Sequence, residues 1–215
     1  GCVLAASNGE FAAVVAIKCE TDFVAQNADF IALTQSILDA AMANKIADKD
    51  ALLALEIDGR SIADLITDRS GITGEKMELG FYEVVNGAAT VAYIHPGNKL
   101  ATVVAFNEAL DAQVAREVAM QVAAMNPIAV KRDEVPANII ATELEVGREK
   151  ARQEGKPEAM LDKIAEGRLN KFYKESTLLE QDFIKDAKVS VQQYLKQVSA
   201  SLTATAFKRV TLNEE

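Results

Sequence analysis

The stretch CVLAASNGEFAAVVAIKCE, residues 2–20, predicts how the fold begins. Two apolar runs flank the pair Asn8 and Gly9. An Asn-Gly pair in this setting is among the strongest short signals of a β-hairpin, because both residues tolerate a positive φ. We therefore predict that the chain starts with two antiparallel strands joined by a tight turn.

The hairpin is followed by segments with helical spacing of apolar residues. Asn27 is predicted to cap an amphipathic helix that extends to about residue 44. Three further elements are predicted before residue 87: helices over residues 48–55 and 61–69 and a strand over residues 77–85. Gly71 and Gly74 are expected to break the second of these helices before the strand starts.

The pattern then repeats. ATVAYI, HPGN and KLATVVAFN, residues 89–107, predict a second hairpin, and a helix is predicted over residues 111–125. Alignment of the two copies leaves six additional residues between strand and helix in the first copy, where CETDFVAQN occupies residues 19–27. Folding alone does not require this motif, since the second copy makes the turn without it. Connections between rigid elements often carry function.

The rest of the chain is mainly helical. Residues 136–154 and 157–174 predict a helical hairpin, in which Gly155 ends one helix and Pro157 opens the next. A helix over residues 189–198 and a strand in LTATAFKRVTL, residues 202–212, complete the predicted elements.

These elements predict an α+β fold with an internal repeat and a helical hairpin.

Composition and charge exclude several classes of function. The net charge is −9, and no concentrated basic patch is present, so we expect no direct binding of nucleic acid. No apolar stretch is long enough to cross a bilayer and the start of the sequence does not resemble a signal peptide, so a cytoplasmic location is expected. Cys2 and Cys19 have no metal-ligand spacing and are interpreted as small core residues. No cofactor or metal site is predicted.

No catalytic pattern stands out. The only histidine, His95, directly precedes Pro96 in the second hairpin turn, and a nucleophile-base pair with Cys19 would define a cysteine hydrolase. Nothing in the spacing favours that pair. GITGEKM, residues 71–77, lacks the glycine spacing of a phosphate-binding loop. Composition and spacing therefore indicate a partner-binding protein and no enzyme.

Three segments resemble known sequence blocks. KCETDFVAQNADF, residues 18–30, resembles the signature of the elongation factor Ts family, the bacterial guanine-nucleotide exchange factors for elongation factor Tu. GKPEAMLDKIAEGRLNKFYKESTLLEQDFIKD, residues 155–186, and VAMQVAAMNP, residues 118–127, resemble two further blocks of that family. Family members normally begin with a small helical domain with a pattern like LRxxTGAG, which we expect to be missing here.

The resemblance implies a core of two related subdomains, each a small antiparallel sheet packed on helices, together with a helical hairpin that forms a coiled-coil module. The predicted boundaries are residues 1–87 for the first subdomain, residues 88–134 with 176–215 for the second, and residues 135–175 for the hairpin.

The resemblance also implies how the motif acts. Thr21, Asp22, Phe23 and Val24 would enter elongation factor Tu near its nucleotide site, displace elements around the magnesium ion and loosen GDP. Secondary contacts are implied for the residues that match other family positions, namely Ile72, Gly74 and His95. For Ile72 the alternative is a core residue at a helix end, and for His95 an exposed turn residue without a partner.

Three alternatives stay open at this stage. For Phe23 and Asp22, the local alternative is that Phe23 covers the end of the core while Asp22 caps the next helix. For the whole chain, the alternative is a module that binds the GTPase without releasing nucleotide. For the helical hairpin, the alternatives are homodimer formation and a solvated arm.

Overall fold

The computed structural model describes residues 1–213. The chain divides into two compact units, residues 1–124 with the segment from residue 202 onward, and residues 125–201. The boundaries predicted above for two subdomains and a hairpin module remain predictions.

The first half of the first unit contains both the predicted hairpin and the helices after it. Its elements in chain order are β1 (Cys2–Ser7), β2 (Phe11–Lys18), α1 (Asp22–Ala25), α2 (Ala28–Ala43), α3 (Lys49–Ala54), β3 (Glu56–Ile57), β4 (Arg60–Ser61), α4 (Ile62–Thr73) and β5 (Glu78–Asn86). The Asn8 side chain closes the first turn by accepting hydrogen bonds from the backbone N–H groups of Glu10 and Phe11.

The remaining elements follow the predicted order, with two short strands after the helical hairpin that were not predicted. They are β6 (Ala89–Ile94), β7 (Leu100–Phe106), α5 (Ala112–Met125), α6 (Ala137–Gln153), α7 (Leu161–Ser176), β8 (Asp182–Phe183), β9 (Asp186–Ser190), α8 (Val191–Val198) and β10 (Ala204–Thr211). β8 and β9 form a two-stranded sheet, as do β3 and β4.

The internal repeat is confirmed by the sheet topology. One antiparallel sheet has the order β1-β2-β5, and the other has the order β10-β7-β6. In both sheets the second strand of a hairpin is central, a helix follows it, and a strand from later in the chain pairs with its free edge. The α+β fold class with small antiparallel sheets packed on helices is therefore also confirmed.

The central strands are buried on both faces. One face of the first sheet packs on α2, α3 and α4, around Phe30, Leu38 and Ile66. Its other face, including Val3 and Val14, packs on residues of the second sheet such as Val103. This burial explains why β2 and β7 are almost uninterrupted apolar runs instead of alternating ones.

The helices of the second unit pair closely. α6 and α7 run antiparallel, with Arg148 bridging to Asp162 at 3.5 Å and Arg152 to Glu158 at 3.8 Å. A Cβ atom on Gly147 would lie 3.1 Å from the Ala165 Cα, so the glycine permits a close approach of the two helices. The helical hairpin is thus observed, without specific evidence for a coiled coil.

Two predicted helix boundaries are wrong. α4 continues through Gly71 and ends at Thr73, because an interior glycine costs only about 0.5–1 kcal/mol. The helix stops at Gly74, whose φ of 73° is the left-handed conformation that terminates many helices. The second arm of the hairpin starts its α-helix at Leu161, after a 3₁₀ turn over Glu158–Met160, and not at Pro157.

The excess length in the first copy of the repeat is also smaller than predicted. Residues 19–27 connect β2 to α2, and residues 107–111 connect β7 to α5, so the first connection is longer by four residues and not by six. The difference arises because residues 107 and 111, which the alignment equates with the end of β2 and the start of α2, lie outside β7 and α5. The additional residues still fall in the CETDFVAQN motif.

Candidate partner-binding site

The CETDFVAQN motif forms a short helix of its own. α1 begins after Thr21, whose hydroxyl oxygen accepts a hydrogen bond of 3.4 Å from the Val24 backbone N–H. Thr21, and not Asp22, is therefore the cap. One turn later Asn27 caps α2 as predicted, accepting hydrogen bonds from the backbone N–H groups of Asp29 and Phe30. The motif is thus two caps with a single helical turn between them.

Phe23 projects from this turn into solvent. Its exposed fraction is 92%, the highest among the large apolar residues that are exposed. Val24 packs partly on the core and Ala25 is buried, so the other face of α1 holds the turn against the protein. The interpretation of Phe23 as a cover for the core is wrong, since an aromatic in that role would be buried.

Ile72 is the second strongly exposed apolar residue. It lies in the last turn of α4 with 72% of its surface accessible, so the interpretation as a core residue at a helix end is wrong. Gly74 follows directly as the residue that terminates α4. Ile72 and Gly74 therefore belong to one helix end.

Glu75 joins this helix end to the start of α1. One of its carboxylate oxygens accepts hydrogen bonds from the backbone N–H groups of Glu20 and Thr21, at 3.0 and 2.9 Å. The other oxygen accepts a hydrogen bond of 2.6 Å from the Thr21 hydroxyl. These bonds hold the pKa of the Glu75 carboxyl below its usual value, and the bond from the Thr21 hydroxyl has the largest effect. Glu75 is therefore an ionised acceptor at neutral pH.

Arg69 makes a second connection between α4 and the motif. Its guanidinium donates a hydrogen bond of 3.2 Å to the Asn27 side-chain oxygen and lies 3.7 Å from the Asp29 carboxylate. The motif is therefore supported at both of its ends, at the start of α1 by Glu75, which follows the end of α4, and at the start of α2 by Arg69, which lies within α4.

The second hairpin contributes a third support. Lys99, the residue before β7, places its Nζ atom 3.3 Å from the Asp22 carboxylate and donates a hydrogen bond of 3.0 Å to the Gly1 carbonyl. His95 lies exposed in the same turn, with its Nδ1 atom 3.0 Å from the Tyr93 hydroxyl. The structure therefore brings the end of the second hairpin turn next to α1.

The catalytic hypothesis for Cys19 finds no geometric support. The Cys19 thiol donates to the Thr21 carbonyl at 3.3 Å, while the ring of His95 contacts Tyr93. No hydrogen bond joins Cys19 to His95 in the part of the chain that the structure describes. Cys2 is fully buried in the core, as interpreted, whereas Cys19 lies beyond the end of β2 and packs, only partly buried, against the edge of the same core.

Residues 1–213 also lack two other features. Within residues 1–213, no group of three or more His, Cys, Asp or Glu side chains is arranged to hold a metal ion. In the same range, none of the helices combines the length and the apolar character that crossing a membrane requires.

Comparison with known proteins gives consistent matches. The family model described as Elongation factor TS matches residues 20–214. A protein named Elongation factor Ts from Porphyromonas gingivalis strain ATCC 33277 is 61% identical over all of this chain and 79% of its own length. The protein of the same name from Azobacteroides pseudotrichonymphae is 54% identical over all of this chain and 79% of its own length. The one from Bacteroides fragilis strain YCH46 is 42% identical over all of this chain and 82% of its own length. These alignments include every residue of the site described above.

Proposed function

Because this chain belongs to the elongation factor Ts family, we propose that it is a guanine-nucleotide exchange factor that binds elongation factor Tu and accelerates the release of GDP during translation elongation. The observation that carries the proposal is the exposure of Phe23 on a turn that is otherwise firmly supported. A fully exposed phenylalanine is unfavourable in a free protein and becomes favourable when a partner covers it.

Phe23 is suited to act as an apolar wedge. Its burial between elements of the GTPase would contribute roughly 1.5 to 3 kcal/mol. Because the ring makes almost no contact with its own chain, this energy is not offset by the loss of internal packing. Insertion near the nucleotide site would displace the elements that hold the magnesium ion.

Asp22 is suited to act on the charged groups at the nucleotide site of the partner. Its carboxylate is 82% exposed and stands in the first turn of α1, one residue before the wedge. It can accept hydrogen bonds from the partner and place a negative charge beside the magnesium and phosphate groups. Its ion pair with Lys99 is largely solvated, and such pairs are weak, so exchange for a contact in the partner costs little.

Thermodynamic linkage explains why such contacts release nucleotide. A factor that binds the nucleotide-free GTPase more tightly than the GDP form must weaken GDP binding by the same ratio. The activity needs no covalent chemistry from this chain and no cofactor. GDP leaves faster, and GTP then refills the site.

The secondary contacts extend the same surface. Ile72 would contribute a second apolar contact, Gly74 would fix the helix end that carries it, and His95 would contact the partner from the second hairpin turn. All three lie on segments that Glu75 or the second hairpin brings to the motif. The proposed partner is a cytoplasmic protein, and whether the hairpin of α6 and α7 forms a homodimer or a solvated arm is a separate question.

The test is the release of a fluorescent GDP analogue from bacterial elongation factor Tu at rising concentrations of this protein. We expect a concentration-dependent acceleration that Phe23→Ala largely removes. Phe81→Ala is the matched control, because Phe81 is also an exposed aromatic, at 39%, but lies in β5 with Lys18 against its ring. Acceleration that persists in Phe23→Ala would contradict the wedge. A complex that forms without acceleration would favour a binding module.

A further inference from the structure

The segment that carries Phe23 is held in place from a distance in the sequence. Glu20 and Thr21 lie two and three residues after Lys18, the last residue of β2, where the strand pairing with β5 ends. Backbone N–H groups at such a position need another acceptor. A single side chain, that of Glu75, supplies it for both residues.

We propose that Glu75 is a positioning residue for exchange, which fixes the start of α1 and thereby the direction in which Phe23 projects. The proposal rests on the function proposed above. Glu75 makes no part of the apolar wedge itself. Its role follows from three hydrogen bonds to the two residues that precede α1.

Thr21 transmits the constraint to the helical turn. Its hydroxyl donates to the Glu75 carboxylate at 2.6 Å, and the same oxygen accepts from the Val24 backbone N–H at 3.4 Å. One oxygen atom therefore connects Glu75 to the first turn of α1. Phe23 lies inside that turn and has no anchor of its own, so its orientation depends on the backbone that Thr21 fixes.

Glu75 is itself held on both sides. Its backbone N–H donates to the Thr73 hydroxyl at 3.2 Å, and its carbonyl accepts from the Ser70 hydroxyl at 2.6 Å. The connection is reciprocal, because the Glu20 carboxylate accepts a hydrogen bond of 3.2 Å from the Lys76 backbone N–H. Locked supporting residues of this kind are what a preorganised binding site requires.

The hydrogen bonds of the Glu75 side chain indicate which substitution at position 75 should be tolerated. A glutamine at position 75 keeps one carbonyl oxygen for the two backbone N–H groups, and its amide can donate to the Thr21 hydroxyl oxygen. An alanine removes every acceptor and leaves the two N–H groups to water. Glu75→Gln should therefore rescue most of what Glu75→Ala loses.

The first experiment is a double-mutant cycle on stimulated GDP release at saturating factor, with thermal unfolding as the check of folding. We expect Glu75→Ala to slow release about tenfold, because the charge-assisted hydrogen bonds are lost. Glu75→Gln should slow release at most about twofold, because neutral hydrogen bonds to the same groups remain. In the Phe23→Ala background, Glu75→Ala should add little, because residues that act through one another are not additive. Glu78→Ala is the control, since this nearby exposed carboxylate lacks such bonds in the described part of the chain.

The second experiment reads position without activity. The chain has no tryptophan, so Phe23→Trp introduces a single indole reporter. We expect Glu75→Ala to lower the fluorescence anisotropy of that indole in the free protein, while Glu78→Ala leaves it unchanged. Unchanged anisotropy in Glu75→Ala would overturn the positioning role. The same holds if Glu75→Ala slows stimulated GDP release equally in the unmodified protein and in the Phe23→Ala background. Failure of Phe23→Ala to affect release would refute only the proposed wedge, and the anisotropy would still decide on Glu75.

Discussion

Lys99 Nζ lies 3.3 Å from the Asp22 carboxylate, which links the second hairpin of the repeat to the turn inserted after the first. The lysine side chain is 30% exposed and the aspartate side chain 82%, so water screens the pair. An ion pair of this type contributes little to stability. Its significance is that the free protein already keeps a cation beside the carboxylate that is proposed to act on the partner.

Substitutions at Lys99 and Asp22 should distinguish a residue that supports α1 from a residue that contacts the partner. Lys99→Gln is expected to change the free energy of unfolding by less than about 1 kcal/mol, as for other exposed pairs. Asp22→Asn should also leave stability nearly unchanged but slow stimulated GDP release roughly tenfold, as for loss of one charged contact in an interface. Denaturant unfolding and the GDP release assay measure the two effects. A larger loss of release from Lys99→Gln than from Asp22→Asn would contradict this assignment.

Two isoleucines of α4 offer a matched comparison. Ile66 is buried at 4% exposure, and Ile66→Ala should lower the free energy of unfolding by about 2–5 kcal/mol through loss of core contacts and a cavity. Ile72→Ala should change it by less than about 0.5 kcal/mol, since the side chain lies in solvent. Only Ile72→Ala should weaken the complex with elongation factor Tu without destabilising the chain. Equal affinity of Ile72→Ala and the unmodified protein would remove Ile72 from the contact surface.

Ionisation of the Tyr82 phenol should lower the stability of the fold at alkaline pH. Its hydroxyl donates to the Ile46 carbonyl at 2.6 Å, and burial, with a smaller effect of Asp48, raises the pKa of the Tyr82 phenol to about 12. The unfolded phenol titrates near 10. The protonated, folded form is thus favoured below pH 10, and this contribution is lost as the pH rises through the folded value. Tyr82→Phe should be less stable at pH 8 by about 1 kcal/mol and should lose less stability between pH 10 and 12.

Protonation of the Glu180 carboxylate should lower the stability of the fold at acid pH. Arg132 donates to both of its carboxylate oxygens, at 2.6 and 2.7 Å, and these bonds lower the pKa of the Glu180 carboxyl. A lowered pKa stabilises the fold above the ordinary value of about 4.3 for glutamate, and the effect is lost as the pH falls through the folded value. Glu180→Gln should therefore be less stable at pH 7, by about 1 kcal/mol for a partly exposed pair. The difference from the unmodified protein should shrink below pH 4, and a constant difference across the acid range would contradict the linkage.

Much of this architecture could be predicted from local patterns. Both hairpins have turn residues between apolar runs, and the repeat of those runs indicated a second hairpin followed by a helix. The extension of α4 could not be predicted, because the modest cost of Gly71 is offset by the contacts of the helix end. α1 was missed for a different reason, since a single turn such as Asp22–Ala25 has no periodicity to detect.

The site was predicted only in part. The family resemblance pointed to the motif, and the structure adds that its aromatic residue is exposed. Glu75 and Lys99 were missed, because neither has a local pattern that marks it as a support for residues 54 to 77 positions away. Such pairings become visible only when the strand order is known.

The matching topology of the two sheets shows which residues the scaffold can lose. Residues 107–111 lead from β7 to α5, whereas residues 19–27 lead from β2 to α2 and contain α1. Four residues of the first connection therefore exceed what the passage from strand to helix requires. Shortening residues 19–27 to the length of residues 107–111 should give a folded protein without the exposed aromatic.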